Sequence, residues 1–101
     1  MSKSLRDFHD VELAAQAAAG GRREYGELVR RHGSAVRGLL RRMGAEASLA
    51  DDVAQDAFVA GWSSLRTLKD PGGVRAWLCG IAWRKAQDRI RSARRGATRD
   101  A

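Results

Sequence analysis

Apolar positions along this chain recur at intervals of three and four, and nowhere alternate with polar ones through a β-branched run. The clearest stripe is Tyr25, Leu28, Val29, His32, Val36, Leu39, Leu40 and Met43. It predicts a helix from about Arg22 to Met43, closed by Gly44. Arg30, Arg31, Arg37, Arg41 and Arg42 take its other faces. Gly33 and Gly38 each weaken it by up to about 1 kcal/mol relative to Ala, so tertiary packing has to hold it. Ahead of it, Asp10 can cap a short Ala-rich helix, VELAAQAAA, which Gly20-Gly21 ends.

Ser48 with Asp51 three residues on forms a capping box, predicting a third helix that runs to about Leu65. At about 100° per residue, Val53, Ala54, Ala57, Phe58, Gly61 and Leu65 fall on one side, and Asp52, Gln55, Asp56, Val59 and Ser63 on the other. A loop, Thr67-Leu68-Lys69-Asp70, precedes the last helix. Asp70 suits the N-cap and Pro71 the first helical position. Gly72-Gly73 loosens that turn, so the helix is expected to start nearer Val74 and to run to about Arg95. The fold class is therefore all-α: one compact bundle of about four helices over residues 10–95. Residues 1–9 are expected to be a flexible terminus and residues 96–101, GATRDA, a disordered tail.

In the last helix Val74, Trp77, Leu78 and Ile81 form a core stripe, with Trp77 a core aromatic. Trp83 lies nearly opposite Val74 and Ile81, near Gln87 and Arg94. Two readings of this indole stay open: it packs on the first helix, or it is a stacking platform for an unpaired base beside Arg84, Arg91 and Arg94.

Charge sharpens the picture. The chain carries 19 Lys and Arg against 12 Asp and Glu, a formal charge of +7, which favours an anionic partner such as nucleic acid. The charge is segregated. From Met43 to Leu65 there is no basic residue, whereas Arg84 to Arg99 holds seven Lys and Arg and one Asp. The one cysteine, Cys79, excludes an internal disulfide and is expected as a small buried hydrophobe in a reducing compartment. No apolar run has the length of a membrane span, and MSKSLRDFHD lacks the apolar core of a signal peptide, so a cytoplasmic protein without membrane insertion is expected.

Candidate chemistry is sparse. His9 and His32 are the only histidines, no Cys/His set has metal spacing, and phosphate-loop and dinucleotide fingerprints are absent. Asp51, Asp52 and Asp56 read as a solvated or partner-binding face rather than a metal site. The expectation is a non-enzyme with no cofactor and no metal.

Two segments, LADDVAQDAFVAGWSSL and KDPGGVRAWLCGIAWRKAQDRIRSARR, together resemble region 2 of bacterial sigma factors, in particular the extracytoplasmic-function (ECF) group. That group has an acidic D-x-x-Q-D/E-x-F-x-x-x-W helix, a short loop, then W-L-x-x-I-A and a basic tail containing Asp. The matching positions are Asp52, Gln55, Asp56, Phe58 and Trp62, then Trp77, Leu78, Ile81, Ala82 and Asp88. The upstream helices look like the group's first two, so the likeness covers roughly residues 10–95.

The resemblance implies a transcription initiation domain with two partners. Asp52, Gln55 and Asp56 would contact the basic clamp helices of the β′ subunit of core RNA polymerase. Leu68, Lys69 and Asp70 lie where the group's specificity loop accepts a flipped base of the −10 promoter element, on the non-template single strand. Arg75, Trp83, Arg84, Gln87, Arg91, Arg94 and Arg95 are the DNA-binding candidates along the last helix. The sequence departs from the group at Leu68, often aromatic there, at Trp83, usually polar or basic, and at Arg84, commonly Asn. The group's second helical domain, which reads the −35 element, has no counterpart in these residues, so a truncated or unusually minimal member is expected. Two alternatives stand beside this reading. One is a general basic helical nucleic-acid binder without polymerase contact; the other is an interaction module sequestered by an anti-sigma factor.

Overall fold

Helix α2 (Arg22–Arg42) is the element on which α1 (Asp10–Ala18), α3 (Ala47–Ser64) and α4 (Val74–Asp100) all pack, and α3 and α4 also pack on each other. Short 3₁₀ turns at Leu5–Asp7, Leu65–Thr67 and Pro71–Gly73 complete the chain. The computed structural model describes the backbone of residues 4–100 and the side chains of residues 4–96, and no strand occurs among the described residues. The all-α bundle of four helices is as expected.

Two glycines end helices as the sequence indicates. Gly44 has φ +101°, its N–H donates to Arg41 O, and the next N–H, of Ala45, donates to Leu40 O. That pair of bonds is a Schellman end, and the positive φ is what requires glycine there. Gly20, with φ +109°, closes α1 in the same way.

The helix starts differ from expectation. Asp10 is the first residue of α1, not its cap. The cap is His9, whose N–H donates to Glu12 Oε1 at 3.1 Å, because the Asp10 carboxylate is drawn away to Arg31 and His32. The Ser48–Asp51 capping box does not form. Helix α3 has already begun at Ala47 behind Glu46, and Ser48 Oγ donates to the Glu46 side chain at 3.2 Å. The Asp70 cap does form, accepting from Gly72 N at 3.1 Å, and α4 proper starts at Val74.

Residues 4–9 are tied down where a flexible terminus was expected. Arg31 Nη2 donates to the carbonyls of Leu5 and Arg6 at 3.0 and 3.2 Å, and Leu5 and Phe8 pack against the core. The expected disordered tail falls mostly on side chains outside the described residues; the backbone of α4 is helical to Asp100.

The core is built from Leu13, Leu28, Leu40, Leu78, Val36, Val53 and Val74, all fully buried, each worth about 1.5–3 kcal/mol of apolar burial. Trp77 and Cys79 sit half-buried against it. The tightest approach is at Gly61 on α3. A Cβ there would lie 2.7 Å from Tyr25 Oη and 3.0 Å from Leu78 Cδ2. Tyr25 cannot retreat: its hydroxyl donates to the Phe58 carbonyl, and its ring leans on Trp62 at 5.3 Å and 50°. Burial pushes the Tyr25 phenol up to about 12. Gly61→Ala is therefore expected to destabilise the fold by about 1–3 kcal/mol, measured by urea unfolding.

Candidate protein- and nucleic-acid-binding faces

Helix α3 is oriented by its small residues. Ala50, Val53, Ala54, Ala57 and Gly61 are buried, and this closely packed side turns Asp51, Asp52, Gln55, Asp56 and Val59 outward. Asp52 and Gln55 are exposed and, among the described residues, have no ion-pair or hydrogen-bond partner. Asp56 is exposed too, but Arg89 Nη2 of α4 reaches it at 2.9 Å. Asp51 lies 4.0 Å from Arg37 Nε. The acidic face is thus real, with a basic residue of α4 touching one edge.

Helix α4 changes character along its length. Val74, Leu78, Ile81, Ala82 and Ala86 are buried, whereas every described side chain from Gln87 to Gly96 is exposed. The helix outruns the bundle, so its second half has little to pack on. Trp83 is 42% exposed and is not among the side chains packed on the core. With Arg84, Gln87, Arg91, Arg94 and Arg95, all exposed, it falls within an arc of about 120° on the helical wheel. These six candidates come together on one surface.

The loop candidates divide. Leu68 is half-buried and packs on the core; Lys69 is exposed. Asp70 is exposed but occupied as a cap. Arg75 stands apart from the arc, its Nε donating to His32 Nδ1 at 3.0 Å.

That contact belongs to a network the sequence reading did not assemble. Buried His32 lies with Nε2 2.8 Å from Asp10 Oδ2, and Asp10 Oδ1 accepts from Arg31 Nη1 at 3.1 Å. The available signal was a histidine inside an apolar stripe, since a buried polar ring needs partners. Glu27 was missed for a similar reason: a charged residue was left out of the stripe, yet it is buried. Arg30 grips it with two bonds of 2.7 Å, and this hydrogen bonding holds its carboxyl below the usual range.

A helical bundle with an acidic face on one helix and an arginine-and-indole face on another defines the class, and comparison with known proteins gives the family. The chain belongs to the sigma-70 region 2 family, whose model matches residues 28–96. This is a family of transcription initiation factors and not of enzymes. Among its relatives, the RNA polymerase sigma factor CnrH of Cupriavidus metallidurans is 44% identical over 85 residues, covering 84% of this chain and 44% of that protein. NccH of Alcaligenes xylosoxydans, also an RNA polymerase sigma factor, is 38% identical over 79 residues, covering 78% and 42%. The ECF RNA polymerase sigma factor SigM of Mycobacterium tuberculosis is 32% identical over 85 residues, covering 84% and 43%. The chain spans less than half the length of these relatives. A solved structure, of CnrH in complex with the cytosolic domain of CnrY, superposes with a TM-score of 0.72 at 45% identity, covering 89% of this chain and 60% of that one.

The Asp56–Arg89 pair is about half exposed on both sides, so it contributes little to stability. Arg89→Ala is expected to change the unfolding free energy by less than about 1 kcal/mol, checked by urea titration.

Proposed function

We propose that this chain is the part of an ECF-type sigma factor that docks on core RNA polymerase and holds the melted −10 promoter element. Asp52, Gln55 and Asp56 make the polymerase contact, against the basic clamp helices of β′. Trp83, Arg84, Gln87, Arg91, Arg94 and Arg95 receive the non-template single strand, with Leu68, Lys69 and Asp70 at the flipped base. The observation that carries this reading is the pairing of two exposed surfaces on one small domain: carboxylates on α3, and an indole among arginines on α4.

The chemistry suits the roles. Complementary charge speeds and orients docking on a basic coiled coil. An exposed indole offers stacking that any base can use, and arginines supply phosphate contacts. Asp70 is occupied as a cap and Leu68 is half-buried, so in the loop Lys69 is the side chain that meets the strand. Both partners place the protein in the cytoplasm, and no helix among the described residues is long and apolar enough to cross a membrane.

A second reading has one observation in its favour. The solved relative is in complex with the cytosolic domain of CnrY, and on this reading an anti-sigma factor that covers these faces is a further partner of the chain. A general basic binder without polymerase contact leaves the α3 carboxylates unexplained.

Two experiments test the lead reading. Reversing charge with Asp52→Lys and Asp56→Lys together is expected to abolish capture of the protein by core RNA polymerase in a pull-down while circular dichroism stays unchanged; undiminished capture overturns it. Trp83→Ala is expected to weaken binding of single-stranded −10 DNA, in the presence of polymerase, by about 1–3 kcal/mol, read by fluorescence anisotropy.

A further inference from the structure

Arg75 is exposed but not loose. Its Nε donates to His32 Nδ1 at 3.0 Å, and the buried ring is held on its other side, with Nε2 2.8 Å from Asp10 Oδ2. A guanidinium can only donate, so Nδ1 is the acceptor and the ring proton sits on Nε2, donated to Asp10. Asp10 is itself fixed by Arg31 Nη1 at 3.1 Å. Both ring nitrogens and both carboxylate oxygens are therefore committed.

One N–H of the Arg75 guanidinium is used. Its Nη1 and Nη2 have no partner among the described residues. They belong to a side chain at the opening turn of α4, beyond the Pro71–Gly73 turn that follows Lys69. Trp83 lies eight residues further on, about 12 Å along the helix, a span of a few nucleotides. An exposed arginine ordinarily loses rotamer freedom when it grips a ligand. One already tethered through Nε has lost part of that freedom in advance, and its paired Nη groups match the geometry of a phosphate.

We propose that His32 is a positioning residue that holds Arg75 so that its two Nη groups are presented to a backbone phosphate of the single-stranded DNA. This rests on the reading given under Proposed function and concerns the backbone, not the bases. His32 touches no DNA; it acts through Arg75.

The test is anisotropy of a labelled random-sequence 20-nucleotide single strand, titrated with the whole chain over a range of salt. Arg75→Ala is expected to lower the magnitude of the log–log salt slope by about 0.7, the loss of one phosphate. His32→Ala keeps the arginine but frees it, so affinity falls about two- to tenfold with the slope unchanged. His32→Gln, whose amide oxygen can accept from Arg75 Nε, restores much of the loss. In an Arg75→Ala background, His32→Ala has no further effect on binding. A His32 that served the fold alone would weaken binding in that background too, and that result overturns the proposal.

Wild-type affinity in a folded His32→Ala variant also overturns it, as does an Arg75→Ala variant with unaltered slope. In both cases a Trp83→Ala variant that still weakens binding shows that the wider reading stands. A wild-type chain that binds no single strand overturns the phosphate contact, while the wider reading is decided by the polymerase pull-down and the polymerase-bound −10 DNA. Should His32→Ala fail to fold, nitrogen NMR of the wild type decides. The Nε2–H tautomer and an Arg75 Nε–H exchanging more slowly than that of Arg84 are expected; the Nδ1–H tautomer overturns the proposal.

Discussion

A buried imidazole joins three of the four helices and ties the start of α4 to α1 and α2. Asp10 from α1, His32 from α2 and Arg75 from α4 form one chain of polar contacts that runs from the half-buried Asp10 through the buried ring to the surface at Arg75. Such a network specifies geometry only when every member is satisfied, and among the described residues no buried side-chain nitrogen or oxygen lacks a partner. The buried stripe of Val74, Leu78, Ile81 and Ala82 sets the rotation of α4 and leaves Trp83 out, and the Arg75–His32 bond ties the start of that helix to α2.

The other constraint is steric. Gly61 lets Tyr25 and Leu78 close on α3, and the hydroxyl of Tyr25 then bonds the α3 backbone at Phe58. With its small-residue side pressed inward, α3 has no choice but to carry its carboxylates on the outside. The two outer surfaces are consequences of how the inside is packed.

Asp56 on the acidic face is paired with Arg89, which lies on the side of α4 opposite the arc of Trp83 and its arginines. An exposed ion pair is weak and screened by salt, so either residue can exchange its partner at small cost. The matched family segment, residues 28–96, contains both outer surfaces. It leaves out α1, and with it Asp10, the partner of the buried His32 ring.

Much of the architecture was legible because it is local. Helical spacing, the glycines that close α1 and α2, the Asp70 cap and the outward indole each depend on residues a few positions apart, where backbone geometry dictates who is neighbour to whom. The motif spacing that named the family is of the same kind. What escaped was decided across distance. Asp10 looks like a cap until a histidine 22 residues away claims its carboxylate. Arg75 looks like one more basic residue until the same ring, 43 positions back, takes its Nε. Asp56 looks unpartnered until Arg89, 33 residues on, reaches over. Polar side chains choose among several possible partners by which one folding brings close, and the order of residues along the chain does not carry that distance.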